Sequence, residues 1–538
     1  MTRKGGNIVL FGADGEPFDA TATLSAWRGA GQNRRTRSWT VDTAHVNAYM
    51  AGDVASLRAR SHDLARKSPW SVSASESYVA NCIGTGIVPR PLIEDDELRR
   101  VVIEAWEDFV KESDSDGTQD FYGQQALGLT SMREGGDCFI RLRPREERDG
   151  LCVPLQVQLL EAEHVDPAYN EYVFSGSGRI QAGIEFDALN RRKGYWMYRD
   201  HPGDMLNRRS LERVFVPSVN VLHLFQPQRP GQIRGVPQLA PALATLYELD
   251  KYDDAELARK QIAAMLVGFV TSPNPQSDPF NAGSVNTPRD KDNVPMVALE
   301  PGTMQKMLPG EDVKFSSPAE SGSSYEPFTN GQFRKVAATA GVTFEAMTGD
   351  LSRVNFSSIR YGLIEIRRRM DQKRRHVVVH QLCQPTWERF IQAGTLCGRI
   401  PMPSDKRILR QMRRAIWTPT PGEAYVDPEK EIRAIILKLR AGLTTRARAA
   451  AEAGFPDVEA LDNEIAAENE RTDRLKLRFD GDGRYGAAGG PAAGAGGAPG
   501  TAGAGAFEIG QEEEADEESA RSMLRAIRRM TERGELEF

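Results

Sequence analysis

Apolar residues recur at helical spacing most persistently from Phe356 to about Ala393, where Ile359, Leu363, Ile366 and Met370 stand four, three and four apart. Only Pro385 interrupts the pattern. It predicts one helix of roughly 55 Å, kinked at the proline. Ahead of it the chain predicts a short helix over Gln332–Ala340 and a polar loop from Thr348 to Asn355. A helix this long, entered through an irregular loop and carrying Arg367, Arg368, Arg369, Lys373, Arg374 and Arg375, exceeds what one compact domain usually needs. It reads as a girder in an assembly.

From the N-terminus, a loosely held arm with Gly5-Gly6 and Arg34-Arg35-Thr36-Arg37 leads into two helices between Asp42 and Ala80, separated at Ser68-Pro69-Trp70. A helix over Phe121–Met132 turns at Glu134-Gly135-Gly136-Asp137 into an alternating strand, Cys138–Arg143, and Val153–Leu160 alternates likewise. Three more strands are expected at Gly183–Asp187, Gly194–Tyr198 and Asn220–Phe225, giving a mixed α+β domain over about 40 to 230. Pro237 suits the first position of a helix over Gln238–Leu266 that carries Leu239, Leu243, Leu246 and Leu249. Residues 267 to 318 read as a small β insertion between two helices, with strands at Met296–Leu299 and Val313–Phe315.

The C-terminal part reads as helices over Glu429–Arg440 and 444 to 473, with Gly442 ending one and threonine capping the next. Residues 481 to 506 are mostly Gly and Ala with Pro, the composition of a flexible linker. An acidic block, Glu512–Glu518, then precedes Arg521, Met523, Leu524, Ile527 and Met530, a charge order the helix dipole favours. This tail reads as a tethered docking helix, or as a solubilising extension.

With 538 residues, 40% apolar and 27% charged, the chain can bury cores for two to four domains. Five cysteines without a CxxC pair indicate neither a disulfide framework nor a zinc ribbon, and fit a reducing cytoplasm. No run approaches eighteen apolar residues and Met1–Leu10 lacks the apolar core of a signal peptide, so neither membrane insertion nor export by that route is expected. A net charge of -6 argues against gripping nucleic acid over the whole surface.

Four clusters invite chemistry. Gly84 and Gly86 lack the Gly-Lys-Ser/Thr of a phosphate loop and read as a helix-to-strand turn. Glu161, Glu163, His164 and Asp166 resemble a metal or acid/base cluster, and equally the polar end of an edge strand. His376, His380 and Cys383 share a helical face with metal spacing, which packing against another helix also explains. The run Asp114 to Asp120 resembles a calcium loop but lacks its full ligand set, and reads as a turn.

Several longer motifs carry a more specific signal. Ser131–Phe139, Leu159–Asp166, Arg229–Pro237, Leu299–Met304, Pro309–Phe315 and Met347–Ser352 through Asn355–Ser358 occur in unbroken order over about residues 45 to 470, and together resemble the lambda-type phage portal family. The resemblance implies a portal fold of the α+β class, with an α/β wing, a helical stem, a small β-rich clip, a long kinked helix and a helical crown region. It also implies assembly as a ring, usually dodecameric, at one vertex of a tailed-phage head. On this sequence it implies an arm over 1–40, a wing over 41–236, a first stem helix over 237–268, a clip over 269–318 and a second stem helix over 319–342. The tunnel loop falls at 343–356, the long wing helix at 357–425, crown helices at 426–480, the linker at 481–506 and the tail at 507–538.

The implied partners are double-stranded DNA passing without sequence specificity, the terminase large subunit, head-tail connector proteins, and major capsid and scaffold proteins. The resemblance implies neither an enzyme nor a cofactor. Gly349, Asp350, Leu351, Ser352, Arg353, Val354 and Asn355 match the loop that lines the narrowest part of the channel, and their polar groups can touch a backbone without reading bases. Glu248, Asp250, Asp253 and Asp254 either face the lumen and repel phosphate or pair with a neighbouring subunit's basic residues. The arginines from Arg367 to Arg375 are explained best by salt bridges across subunit interfaces. Two other readings stay open: a metal-dependent nucleic-acid-processing enzyme using Glu161, Glu163, His164 and Asp166, and a head scaffold protein without a channel.

Overall fold

The computed structural model describes residues 43–173, 178–206, 211–264, 268–271, 312–315, 325–352, 354–420, 428–453, 455 and 458–477. The arm, most of the clip, the strand expected at 296–299, Arg353, the linker and the tail lie outside the described residues. The chain divides into two units, Met1–Asp462 and Asn463–Phe538, and of the second the described part is 463–477.

Helices α1 (Val46–Lys67) and α2 (Pro69–Ile83) are separated at Ser68, whose extended backbone and following proline end one helix and start the next. Gly84 closes α2 at φ 64 and leads into β1 (Gly86–Pro91), the helix-to-strand turn expected there. Helix α3 (Asp96–Glu112) starts at Asp95, whose carboxylate accepts from the N–H groups of Glu97 and Leu98. It was not singled out in the sequence, although Val102, Ala105, Trp106 and Phe109 form its buried stripe. Helix α4 (Phe121–Gly135) follows and ends at Gly136, φ 88.

Two antiparallel sheets come next. Strands β2 (Asp137–Pro144), β3 (Leu155–Glu161) and β9 (Val221–Phe225) pair in the order β3-β2-β9, with Phe139 opposite both Leu160 and His223. Strands β4 (Glu171–Val173), β5 (Gly178–Gln181), β6 (Ile184–Phe186), β7 (Arg192–Tyr198) and β8 (Arg213–Pro217) form a meander in sequence order. Phe139, Val165, Ile184, Tyr195, Val216 and Ile233 form an apolar core that links the two sheets.

The main core lies under α2, α3, α4 and the long C-terminal helix. Its centre is aromatic: the Trp106 ring lies 5.0 Å from those of both Trp387 and Phe390 and meets Phe121 edge-on at 5.3 Å. Trp387, Phe390 and Phe121 have no exposed area, and each such side chain contributes about 1.5–3 kcal/mol by leaving water.

The helix expected from Gln238 starts later. Pro237 lies outside it; Ala240–Ala242 make a turn of 3-10 helix containing Pro241, and α5 runs Leu243–Ala264. A second proline four residues into the segment moves the regular start, because it has no N–H for a helical ladder. Strands β10 (Gly268–Thr271) and β11 (Asp312–Phe315) pair antiparallel, the latter at the expected Val313–Phe315. Helix α6 (Tyr325–Ala340) begins seven residues before the expected Gln332. A short α7 (Phe344–Thr348) precedes the polar loop.

The long helix is continuous from Phe356 to Leu396, and its irregular stretch lies just ahead of Pro385. Between α8 (Phe356–Lys373) and α9 (Gln384–Leu396), residues Arg374–Cys383 form a π-helical stretch in which the Gln384 N–H reaches the Val379 carbonyl, five residues back. The wider turn lies just ahead of Pro385, where the helix must accommodate a missing N–H and a bulky ring. Then come α10 (Lys406–Met412) and β12 (Ala415–Thr420), which pairs with β1 from Gly86↔Thr420 to Pro91↔Ala415. Helices α11 (Pro428–Arg440), α12 (Arg446–Glu452) and α13 (Val458–Leu475) complete the described chain.

Candidate functional site

Two motifs that lie far apart in sequence meet where β2 begins. The carboxylate of Asp137, fully buried, accepts from Arg234 Nε at 2.6 Å, lies 3.0 Å from His223 Nε2, and also takes the Gly235 N–H at 2.5 Å. Arg58 from α1 approaches at 3.5 Å and donates to the Gly135 carbonyl at 2.8 Å. Burial alone would raise the Asp137 pKa, but Arg234, His223 and Arg58 hold it well below the carboxylate range. His223 is pushed down to about 4, mainly by its own burial, so it stays neutral. Its Nδ1 faces Arg192 Nη1 at 2.6 Å, so Nε2 carries the proton and donates to Asp137.

Glycine is required at this contact. A Cβ on Gly235 would stand 1.9 Å from the Gly136 carbonyl oxygen, and that atom belongs to the backbone. Arg234 also donates to the carbonyls of Ala162, Val165 and Ala182, so one side chain fastens β2, the turn after β3 and the turn before β6.

This hub sets the root of a helical pair. The Gln238 N–H donates to the Arg133 carbonyl at 2.8 Å, and its side chain donates to Thr339 at 3.2 Å. Arg133 lies 3.6 Å over the Tyr78 ring and donates to the last carbonyl of α6, at Ala340. Further out, the Tyr325 hydroxyl donates to Asp253 at 2.8 Å and its ring stacks on Tyr252. Contacts of 238 with 339 and of 253 with 325 make α5 and α6 antiparallel.

The four acidic residues of α5 differ in their surroundings. Asp253 is held by Tyr325 and raises that phenol to about 12. Glu248 lies 3.6 Å from Lys251 on its own helix. Asp250 is pushed up, first by partial burial and then by Asp253 and Asp254. Asp250 and Asp254 stand one turn apart, Asp250 half-buried and Asp254 exposed, so the charges crowd one side of the helix.

The loop after α7 is built on Asp350. Gly349 caps α7 at φ 71, the Ser352 N–H and hydroxyl both donate to Asp350 Oδ1 at 2.9 and 2.6 Å, and Val354 N–H reaches the Leu351 carbonyl. Leu351 is 62% exposed, and Asn355 is exposed beside the start of α8. Around Asp350 the loop is thus a hydrogen-bonded turn.

The basic residues of the long helix divide into two kinds. Arg374 is engaged within the chain: it donates to the carbonyls of Asn81 and Cys82 at the end of α2 and pairs with Asp371. Arg369 pairs with Glu365 one turn back, and Lys373 is half-buried and lowered by desolvation. Arg367 is half-buried, whereas Arg368 and Arg375 are exposed.

The four-residue acid cluster does not assemble. Asp166 accepts from Arg213, Tyr198 and the Ala168 N–H, a full set of structural partners. His164 packs edge-on against His201 and is lowered by burial. Instead Glu161 and Glu163 converge with His201, which sequence spacing gave no reason to choose. The Asp114 run is a turn: that carboxylate accepts from the N–H groups of Asp116, Thr118 and Gln119. Cys383 is fully buried, while His376 and His380 are exposed, so that trio does not converge.

Comparison with known proteins gives a consistent answer. Residues 32–374 match the lambda family of phage portal proteins. The probable portal protein of Halomonas phage phiHAP-1 is 25% identical over 436 residues, covering 77% of this chain and 81% of that protein. Portal protein B of Escherichia phage lambda is 20% identical over 478 residues, covering 82% and 89%. Among solved structures, the neck of a native GTA particle computed with C12 symmetry aligns with a TM-score of 0.42 and 12% identity, over 74% of this chain and 93% of that one. With the match covering well over half of its residues, this chain belongs to the lambda family of phage portal proteins.

Proposed function

We propose that the chain assembles as a ring, a dodecamer in its family's usual form, around a channel for double-stranded DNA at one capsid vertex. The observation that carries this reading is the portal-family match across the residues that form the hub, the helical pair and its loop. In it, α5 and α6 are the stem, the β10–β11 ribbon at their far end is the root of the clip, and the Gly349–Asn355 loop lines the channel. Acidic charge on α5 suits a wall that DNA must slide past, since each basic contact would have to break as the duplex advances.

The clip and exposed wing surfaces would meet the terminase large subunit, head-tail connector, and capsid and scaffold proteins, with packaging force supplied by the motor. Negative-stain electron microscopy with native mass spectrometry tests the proposal. A closed ring with a central hole wide enough for duplex DNA is expected. Monomers or dimers persisting across salt and concentration would overturn it. Deleting 350–354 should then leave the ring intact but impair retention of packaged DNA.

A further inference from the structure

The convergence of Glu161, Glu163 and His201 is absorbed by none of the roles above. Glu161 ends β3, Glu163 lies in the turn that follows, and His201 belongs to the connection between β7 and β8. One donor atom from each lies within 4.8 Å of the others, and His201 Nε2 stands 3.0 Å from Glu161 Oε2. Two ligands sharing one ion at about 2.1 Å lie roughly 3 Å apart, so this spacing is that of adjacent metal ligands.

A second observation points the same way. Among the described residues, eight buried side-chain nitrogen or oxygen atoms lack a hydrogen-bond partner, and three of them, Glu163 Oε2, His164 Nδ1 and His201 Nε2, gather here. His201 Nε2 is close to Glu161 without the alignment of a hydrogen bond. Glu163 is divided: its Oε1 faces Arg58 at 3.6 Å and His62 at 3.5 Å, while Oε2 has no partner. His164, 8% exposed, closes the inner side against the His201 ring. Buried polar atoms left unmatched in one place ask for a ligand.

We propose that Glu161, Glu163 and His201 bind one divalent transition ion of the Zn2+ class. The imidazole among the ligands favours such an ion over Mg2+, and of the two carboxylates Glu163 faces Arg58 and His62 through Oε1, which leaves Oε2 for the ion. Glu161 is exposed, which leaves an open path and room for water at the remaining positions. In the metal-free state the Gly203 N–H donates to His201 Nδ1 at 3.0 Å, so Nε2 holds the ring proton. On binding, that proton moves through solvent to Nδ1 and the exposed Gly203 N–H turns to water. The ion would tie the edge of the three-stranded sheet to the β7–β8 connection of the five-stranded sheet. Its role is a staple between sheets, independent of ring formation.

The test uses the full-length protein stripped with chelator, then titrated with Zn2+ alone by equilibrium dialysis and followed by thermal unfolding. The expected result is one Zn2+ per chain and a raised melting temperature. His201→Ala and Glu161→Gln, both at partly exposed positions, should melt like the metal-free wild type and bind Zn2+ about 10- to 100-fold more weakly. Equal Zn2+ binding by wild type and both variants would overturn the proposal, as would the absence of saturable binding or an equal response to Mg2+.

Discussion

Arg234 and Asp137 are 97 residues apart in sequence, yet their side chains meet at 2.6 Å with no exposure to solvent, and the same arginine holds three backbone carbonyls. A buried ion pair of this kind contributes little over an apolar pair of equal shape, but removing one partner leaves a charge with no solvent. Asp137→Asn should therefore destabilise the chain by about 3–5 kcal/mol, measured by urea denaturation. An effect below about 1 kcal/mol would show that the pair is not the fastener described.

Gly235→Ala should fail to give folded protein at wild-type yield, because its Cβ would overlap the Gly136 carbonyl. Gly52→Ala is the control: nothing stands within 4 Å of that Cβ, and a mid-helix glycine replaced by alanine should gain about 0.5–1 kcal/mol. Circular dichroism and soluble yield distinguish the two.

Asp114 supplies a pH signature. Slight burial raises its pKa, but the N–H groups of Thr118, Asp116 and Gln119 overcome this and hold it below the usual carboxylate value. A carboxylate depressed in the folded state stabilises fully above its unfolded pKa, about 3.9, and that contribution is lost as pH falls through the folded value. Asp114→Asn should flatten the stability profile below about pH 4 and leave its shape above pH 5 unchanged, as read by thermal scans.

Arg374 and Arg375 are neighbours in sequence with different expected behaviour. Arg374→Met removes the groups that cap α2 and should cost about 1.5–3 kcal/mol in unfolding, independent of protein concentration. Arg375→Ala, at an exposed position, should leave the unfolding of the single chain within about 0.5 kcal/mol. If it serves a subunit contact, its effect will appear in the salt dependence of assembly.

Local pattern reveals much of this fold and little of its wiring. The alternation of Cys138–Arg143 and the spacing of Ile359, Leu363, Ile366 and Met370 each lie within one element, so a single stretch carries the signal. The hub could not be read in that way, because Asp137, Arg234, His223 and Arg58 come from four segments brought together only by folding. The same reason explains why His201, and not Asp166, joins Glu161 and Glu163. The late start of α5 was legible in Pro241. The π-helical stretch was not, since its valines and leucine fit an ordinary helix equally well.

That stretch marks a change in how the long helix is held. From it onward Val377, Val378, Leu382, Trp387, Phe390 and Ile391 are buried in the core, whereas between 361 and 373 Met370 is buried and Ile366 packs on the core half-buried. The part ahead of it, α8, has 18 residues and a length of roughly 27 Å, and the Asp350 turn precedes its tip at Phe356. Each degree of tilt at Arg374 would move that tip by about half an ångström. A small change of packing at the π-helical stretch would thus be magnified at the loop, far from where it arises.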